Sequence, residues 1–462
     1  MIARSLLTED GVIFISIDDN EIENLCKIAS EIFGQDNLIA RIIVNRTSEV
    51  ATNLTVQKHE YCLVYAKDIK SVKLCGNTKT TISRGTVGNE DQTMPIIEFP
   101  AGLRCVNVSD GIYNSAREIP GSRENIELIT PMVIKNGMLA QPVKLKARWR
   151  SSNDMRNFFN NNCQPTIAKI NGIIEEIYIE SDRLVPQIKK TVTEKIPTIF
   201  LDNKRGSKDL EHLCLNIFDF PKSVSYIAFL IKLFTKDSDI ILDFFSGSAT
   251  TAQSVFQLNA EDKSKRKFIL VQLPEPIDKT SSDSVFGKAQ HFTNLCKLGE
   301  ERIRRAGRKI KEEAGLQGQD LDIGFRVFRV DESNMEDVYF QPAALRQQDL
   351  TSLFDNVKPD RTDLDLLFGA MLDWGVQLSL PMSKATIDGR DVYTVNEGDL
   401  VACFAENITE NVIAHIADQS PLRVLFRDSC FNTDADKINI FEQFKQRLNW
   451  SDEEAMKNIR VI

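Results

Sequence analysis

The residues best suited to chemistry stand in one stretch, Asp239 to Gln253, reading DIILDFFSGSATTAQ. A short apolar run ends at Asp243, Phe244 and Phe245, turns through Ser246, Gly247 and Ser248, and enters a helix-forming segment at Ala249 to Thr251. A turn of this kind leaves backbone N–H groups and the positive end of a helix dipole beside the strand's carboxyl end, where doubly wound sheets bind ligands. It therefore suits an anionic group, although small residues at such a turn also serve packing alone. A P-loop would need a Lys that is absent here, and a dinucleotide fingerprint needs three glycines where only Gly247 is present. That disfavours a nicotinamide oxidoreductase. A second stretch, KLKARWR, sets Lys144, Lys146, Arg148 and Arg150 around Trp149, and NDMRNFFNNN (153–162) follows with another Arg, amides and two aromatics. Cations position a protein on phosphates while Arg, Asn and Gln read base edges, so this region is the candidate for nucleic-acid recognition. Ordinary basic loops have the same composition.

These stretches need elements to hold them. Four short β-branched or aromatic runs, Gly11 to Ile17, Tyr61 to Ala66, Asp239 to Phe245 and Phe268 to Leu273, read as strands buried on both faces of a parallel sheet. Helical patterns over Asn20 to Phe33 and Thr250 to Asn259 follow two of them, which predicts βαβ units and a doubly wound α/β sheet. Residues 75–210 are rich in Asn, Thr, Gly and Pro and weakly periodic, as expected of an inserted domain. The tail predicts strands at VYTV and LVACF, a helix over Ile408 to Asp418 capped at Asn407, and a strand at LRVLF.

The chain has 462 residues with 66 acidic and 57 basic side chains, a net charge of -9, and is 42 % hydrophobic. This excludes fibrous and largely disordered classes. Residues 331–462 carry -12, and 131–210 carry +6, so the acidic total does not argue against phosphate binding. No apolar run approaches the roughly 20 residues of a membrane span, and Glu9 and Asp10 interrupt any signal peptide, so a cytoplasmic location is expected. Nine cysteines without a C-x-x-C suit reduced thiols rather than a zinc site, and no metal is expected.

DFFSGSATT resembles the D-x-F-x-G-S-G-T-T motif with which amino-methyltransferases of DNA hold S-adenosylmethionine. FDFPKS (218–223), RKFILVQLPEP (266–276), GVIFISIDDNE (11–21) and KHEYCLVYAKD (58–68) stand in that family's order. The wider text, including ERIRRAGRKIKEE, GFRVFRVD and PLRVLFRDSCF, looks like the modification subunit of type III restriction-modification systems, a β-class N6-adenine methyltransferase. The resemblance implies a Rossmann-like methyltransferase sheet in circularly permuted order: a substrate half at 1–74, a target-recognition insertion at 75–210, a cofactor half at 211–320 and an acidic C-terminal α/β domain at 321–462.

It further implies that Ser246, Gly247, Ser248 and Thr250 receive the methionine end of S-adenosylmethionine, with Lys222 as a cation nearby. Phe244 or Phe245 would pack on the adenine ring and the other would be core, while Asp243 would fix the turn or the ammonium group. The family's second Gly is Ala249 here, a change expected to leave binding intact. Gln272 stands where many relatives place the acid that holds the ribose; Glu275 is the nearest acid, and either could serve. Implied partners are double-stranded DNA, a second modification subunit and an ATP-dependent restriction subunit, with no membrane.

In the family's order a D-P-P-Y segment precedes the strand that is Gly11 to Ile17, yet the chain contains no Pro-Pro. Without it, no catalytic residue can be named, and transfer to adenine N6 by this chain alone is not expected. Asp18 and Asp19 read as structural rather than as substitutes. A silent DNA-binding or assembly subunit is the alternative. His59 reads as structural, and Arg302, Arg304, Arg305, Arg308, Lys309 and Lys311 as a basic helix, solvated or meeting phosphates.

Overall fold

The computed structural model describes residues 1–51, 54, 56–88, 93–170, 172–202, 204–215, 218, 220–277, 292–336, 357–431 and 433–462. They form two compact units, Met1–Gly324 and Phe325–Ile462.

In the first unit, strand Val12–Ile17 pairs antiparallel with Val56–Ala66, which pairs antiparallel with Leu38–Ala51 on its other side. Ile199–Phe200 then joins Leu38–Ala51 in parallel. The expected parallel set is therefore corrected here: Tyr61–Ala66 lies between two strands that are both antiparallel to it. The reason is local, because Leu38–Ala51 lies directly before it in the chain and a close return can only be antiparallel. Only the central strand is sealed, with Cys62 to Ala66 fully buried. Helix Ile22–Phe33 covers one face by burying Ala29 and Phe33 against Leu63 and Tyr65.

Strands Ile240–Asp243 and Lys267–Leu270 are parallel, as expected, but form a separate two-stranded sheet. Ile240 and Ile269 are exposed rather than buried. Among the described residues Val12–Ile17 and Ile240–Asp243 each pair along one edge only. Helix Val224–Phe234 joins the two sheets. It starts at Ser223, whose hydroxyl accepts from the Tyr226 N–H at 3.2 Å. Its Tyr226 and Leu230 pack with Ile42, Val44, Cys62 and Val64, while Ala228 and Ile231 pack with Val255 and Leu258 of helix Thr250–Asp262.

Between Thr78 and Thr193 the chain builds a core of its own, including Phe99, Leu145, Trp149, Phe158 and Ile188. Strands Thr78–Arg84, Val185–Thr193 and Ile173–Glu180 are neighbours in one sheet, and Ile96–Phe99 and Val143–Lys146 pair in another. The region is β-rich, with this core of its own inside the first unit. Short strands with few alternations hide from a periodicity reading.

The second unit holds a sheet in the order Met382–Ile387, Arg390–Val395, Leu400–Cys403, Val424–Phe426 and Ile459–Val461, antiparallel at first and parallel in its last two pairings. The expected strands and helix Glu410–Asp418 are present. The helix cap is Thr409, whose hydroxyl accepts from the Val412 N–H, and not Asn407, which sits at φ 55°.

One carboxylate ties the β-rich region together. Asp154 is buried and accepts from the Ser151 hydroxyl at 2.6 Å and the Lys169 N–H at 3.0 Å, with Lys190 Nζ at 3.7 Å. Burial pushes this carboxyl up, but the Ser151 hydroxyl, the Lys169 N–H and Lys190 together hold it below its ordinary value. A carboxyl depressed in the folded state adds stability above the unfolded pKa and loses it as pH falls through the folded one. Stability of this region should therefore decline as pH drops below about 4. Asp154→Asn should cost about 1–3 kcal/mol at neutral pH and flatten that decline. Urea unfolding at pH 7 and at pH 3.5, followed by Trp149 fluorescence with Trp374 and Trp450 changed to Phe, checks both.

Candidate functional site

The strand Ile240–Asp243 leads into the turn as the residue spacing requires. The Asp243 carboxylate holds the turn from both ends, accepting from the Phe245 N–H at 3.2 Å and the Thr251 hydroxyl at 2.6 Å. Of the two roles open to Asp243, the structure brings it to the turn. Gly247 adopts φ 50°, and a Cβ there would stand 3.3 Å from the Phe218 ring. The backbone therefore favours glycine at this point on both counts, conformation and space.

Ala249 also takes a left-handed conformation, φ 61° and ψ 35°, at the helix N-cap. The substitution of Ala for the resembled family's Gly thus falls on a position that favours Gly. Its methyl faces helix Leu295–Ala314 at Gly299, where the helix carries no side chain.

Ser248 and Thr250 are buried, and their hydroxyls lie 3.3 Å apart. Gln272 Oε1 accepts from the Gly247 N–H at 2.8 Å, so the residue at the ribose position reaches the turn itself. Glu275 is exposed, and its backbone carbonyl accepts from the Leu295 N–H. Lys222 does not stand alone: its ammonium donates to the Glu60 carboxylate, and its carbonyl accepts from Thr250 Oγ1 at 3.4 Å. Phe244 and Phe245 are 42 % and 84 % exposed, with ring centroids 5.2 Å apart. Neither is core, which corrects the expectation that one would be. Both lie beyond the strand, which ends at Asp243, and alternation puts a residue in the core only where the face it points to is covered.

Arg302 departs furthest from expectation. Its basic neighbours in the sequence suggest a solvated or phosphate-facing helix surface, yet it is fully buried against the turn. Its Nη1 donates to Ser248 Oγ and Thr250 Oγ1, each at 2.7 Å, and to the Ser248 carbonyl at 3.2 Å, while Nε donates to Gln253 Oε1 at 2.9 Å. A signal is present in the sequence, since Leu298, Arg302 and Ala306 recur every four residues along the apolar stripe of Leu295–Ala314. Arg304 does face outward, paired with Glu300, while Arg305 is half-buried, paired with Glu301 and donating to the Leu213 and Cys214 carbonyls.

At the far end of the first sheet, His59 Nε2 lies 2.9 Å from the Tyr61 hydroxyl and 4.0 Å from Asp19 Oδ1, and Gln57 donates to Asp19 Oδ2. Burial, then Asp19, raises the Tyr61 hydroxyl above its ordinary pKa. Asp18 holds the Asn20 backbone and side chain.

In the β-rich region Val143, Leu145, Ala147 and Trp149 are buried, while Lys144 and Arg150 are exposed and Lys146 and Arg148 half-buried, Arg148 with its Nε buried and its Nη1 donating to the Arg123 carbonyl. Lys146 pairs with Glu127 at 2.8 Å and Lys144 with Glu98 at 3.9 Å. Trp149 is only 3 % exposed and donates from Nε1 to the Pro95 carbonyl, so it does not offer its ring to a base. Phe158 and Phe159 likewise pack in the core. No group of His, Cys, Asp and Glu fit to hold a metal, and no helix long and apolar enough to cross a membrane, occurs among the described residues.

A DNA methylase family model matches residues 1–277, more than half the chain. The chain belongs to the DNA methylase family. Its similarity extends to Mod subunits of type III restriction-modification enzymes. StyLTI Mod of Salmonella typhimurium is 29 % identical over 71 % of this chain and 46 % of that one. EcoP15I Mod of Escherichia coli is 27 % identical over 97 % and 70 %, and EcoPI Mod of Escherichia phage P1 is 26 % identical over 86 % and 61 %. The chain thus spans roughly half to two thirds of the length of these relatives. The PvuII cytosine-N4-specific DNA methyltransferase structure superposes with a TM-score of only 0.14 at 14 % identity, covering 27 % of this chain and 48 % of its own.

In this chain, Ala249→Gly relieves a left-handed alanine costing roughly 1–2 kcal/mol, and returns part of that through the freer unfolded chain. A net gain of about 0.5–1 kcal/mol in unfolding free energy is expected. Thermal and urea unfolding of the variant measure it; a loss would mean that the methyl's packing outweighs its strain.

Proposed function

We propose that this chain serves the transfer of a methyl group from S-adenosylmethionine to adenine N6 in a short DNA site, as part of a type III modification subunit. The observation that carries the reading is the strand-turn-helix from Asp243 to Thr251, buttressed by a buried arginine, inside a chain of the DNA methylase family.

The residues present fit the cofactor. The turn is lined by small side chains, the first turn of Thr250–Asp262 directs its dipole there, and two exposed aromatic rings stand at the strand end. Ser246 to Thr250 would receive the carboxylate, a face of Phe244 or Phe245 would support the adenine, and Gln272 is better placed than Glu275 for the ribose because it already reaches Gly247. When bound, the sulfonium would supply an electrophilic methyl group. Lys222, neutralised by Glu60, would contribute less charge than a free cation.

DNA would be engaged by the Thr78–Thr193 domain through Lys144, Lys146, Arg148 and Arg150. Trp149 would act by holding the strand that presents them rather than by stacking. A second modification subunit and an ATP-dependent restriction subunit are the partners this reading includes, and cytoplasmic DNA its setting.

The second reading is a DNA-binding or assembly subunit that performs no transfer itself. The D-P-P-Y motif supplies a carboxylate and a carbonyl to the amino group and a ring to the flipped base, which assist attack by N6. Transfer of labelled methyl to duplex DNA by this chain, alone and with a D-P-P-Y segment added as a second polypeptide, separates the two. Transfer by the chain alone removes the second reading.

Two further outcomes test the sites. Gly247→Asp should abolish binding of S-adenosylmethionine, since it places a Cβ against Phe218 and a negative charge beside the carboxylate. Calorimetry on the folded variant reads this, and wild-type affinity would put the site elsewhere. Changing Lys144, Lys146, Arg148 and Arg150 to Gln should flatten the salt dependence of DNA binding, by close to one unit of slope for every phosphate that is no longer neutralised. An unchanged slope moves the DNA surface elsewhere.

A further inference from the structure

Arg302 is a costly way to brace a turn. It is fully buried, yet each of its hydrogen-bond acceptors is neutral: the Ser248 carbonyl and hydroxyl, the Thr250 hydroxyl and the Gln253 amide oxygen. Its Nη2 has no hydrogen-bond partner among the described residues. The opposite charge that acts on it is Asp209, through space, and that carboxylate accepts from the Val224 N–H. The other charges at the site, Lys222 and Glu60, pair with each other. A buried cation without a directly bonded anion is strongly disfavoured unless some other negative group compensates it. Simple bracing of two hydroxyls needs no charge at all.

We propose that Arg302 is a buried counter-charge for the carboxylate of the ligand received at the Ser246–Thr250 turn, acting through the hydroxyls it holds and through its field. It is a positioning residue, and the proposal rests on the reading of that turn as the S-adenosylmethionine site. Two features let a cation work from beneath. Nη1 polarises the Ser248 and Thr250 hydroxyls by donating to their oxygens; the Thr250 hydrogen goes to the Lys222 carbonyl, and that of Ser248 is directed away from the guanidinium. Burial also removes the solvent screening that an exposed arginine would suffer, so its charge reaches further than that of Lys144 or Arg304. Burial lowers the guanidinium to about 10, which keeps it charged at neutral pH. Helix Leu295–Ala314 approaches the turn closely enough to deliver it because Gly299, three residues earlier, lies against Ala249 without a side chain.

The test measures a ratio of affinities rather than activity. Calorimetry compares S-adenosylhomocysteine with S-adenosyl-3-thiopropylamine, which lacks only the carboxylate, on the whole chain. Wild type should prefer the first by at least about tenfold. Arg302→Gln, which keeps donors but not charge, should shrink that preference severalfold, and Arg302→Lys should restore part of it. Asp209→Asn removes the opposing charge without touching Arg302 and should enlarge the preference, which keeps the test open if Arg302→Gln does not fold. A role in bracing alone would lower both affinities together and leave the ratio unchanged in every variant, and that result overturns the proposal. If wild type binds neither compound, the reading of the turn as a cofactor site falls and takes this inference with it; binding of both with a constant ratio removes the inference only.

Discussion

Helix Val224–Phe234 carries apolar side chains around most of its circumference, and such a helix exists in water only if it is covered on nearly every side. That requirement sets the arrangement of the first unit. The sheet of Val12–Ile17, Val56–Ala66 and Leu38–Ala51 covers one flank through Cys62, Val64, Ile42 and Val44. Helix Thr250–Asp262 and the strand residue Ile241 cover another. A two-stranded sheet is marginal by itself, so Ile240–Asp243 and Lys267–Leu270 owe their position to these helices. The turn at Ser246 is thus held from outside: by the helix that follows it, by Arg302 from a second helix, and by Asp243 and Gln272 from the strand ends.

The parts of this arrangement legible in the sequence are those encoded over a few neighbouring residues. DIILDFFSGSATT gives strand, turn and helix because the apolar run, the small residues and the helical pattern are adjacent, and strand Lys267–Leu270 follows by the same logic. The tail is legible for the same reason, its elements being short and separated by clear turns. Pairing partners are not legible. Whether Tyr61–Ala66 lies parallel or antiparallel to Val12–Ile17 depends on Leu38–Ala51, whose LIARIIVNRTSEVA mixes cations and polar residues into an otherwise strand-like run. Its charged positions disguise it.

Trp149 and Arg302 depart from expectation in opposite directions, for a shared reason. The chemistry of each side chain points one way and its place in a period points the other. Trp149 belongs to the buried series Val143, Leu145, Ala147, Trp149, a two-residue repeat that fixes it inward whatever its neighbours' charges. Arg302 belongs to the four-residue repeat with Leu298 and Ala306, which fixes it inward as well. Periodicity assigns both residues correctly, and residue type misassigns both.

The same distinction governs what each charge is worth. Lys144 and Lys146 sit at the surface with Glu98 and Glu127 opposite, where water and salt reduce such pairs to about 1 kcal/mol or less. In the proposed encounter with phosphates their contribution would be long-ranged, collective and weakened by salt, so that removing any one of them would change little except slope. Arg302 has no such company. In a buried site the effective dielectric is several times lower than in water, and one charge there acts on a neighbouring anion more strongly than several exposed ones acting on a distant backbone. On the proposed readings, an acidic chain would therefore hold two anion-receiving regions of different design, one diffuse and tuned by salt, the other a single cation whose strength comes from the exclusion of solvent.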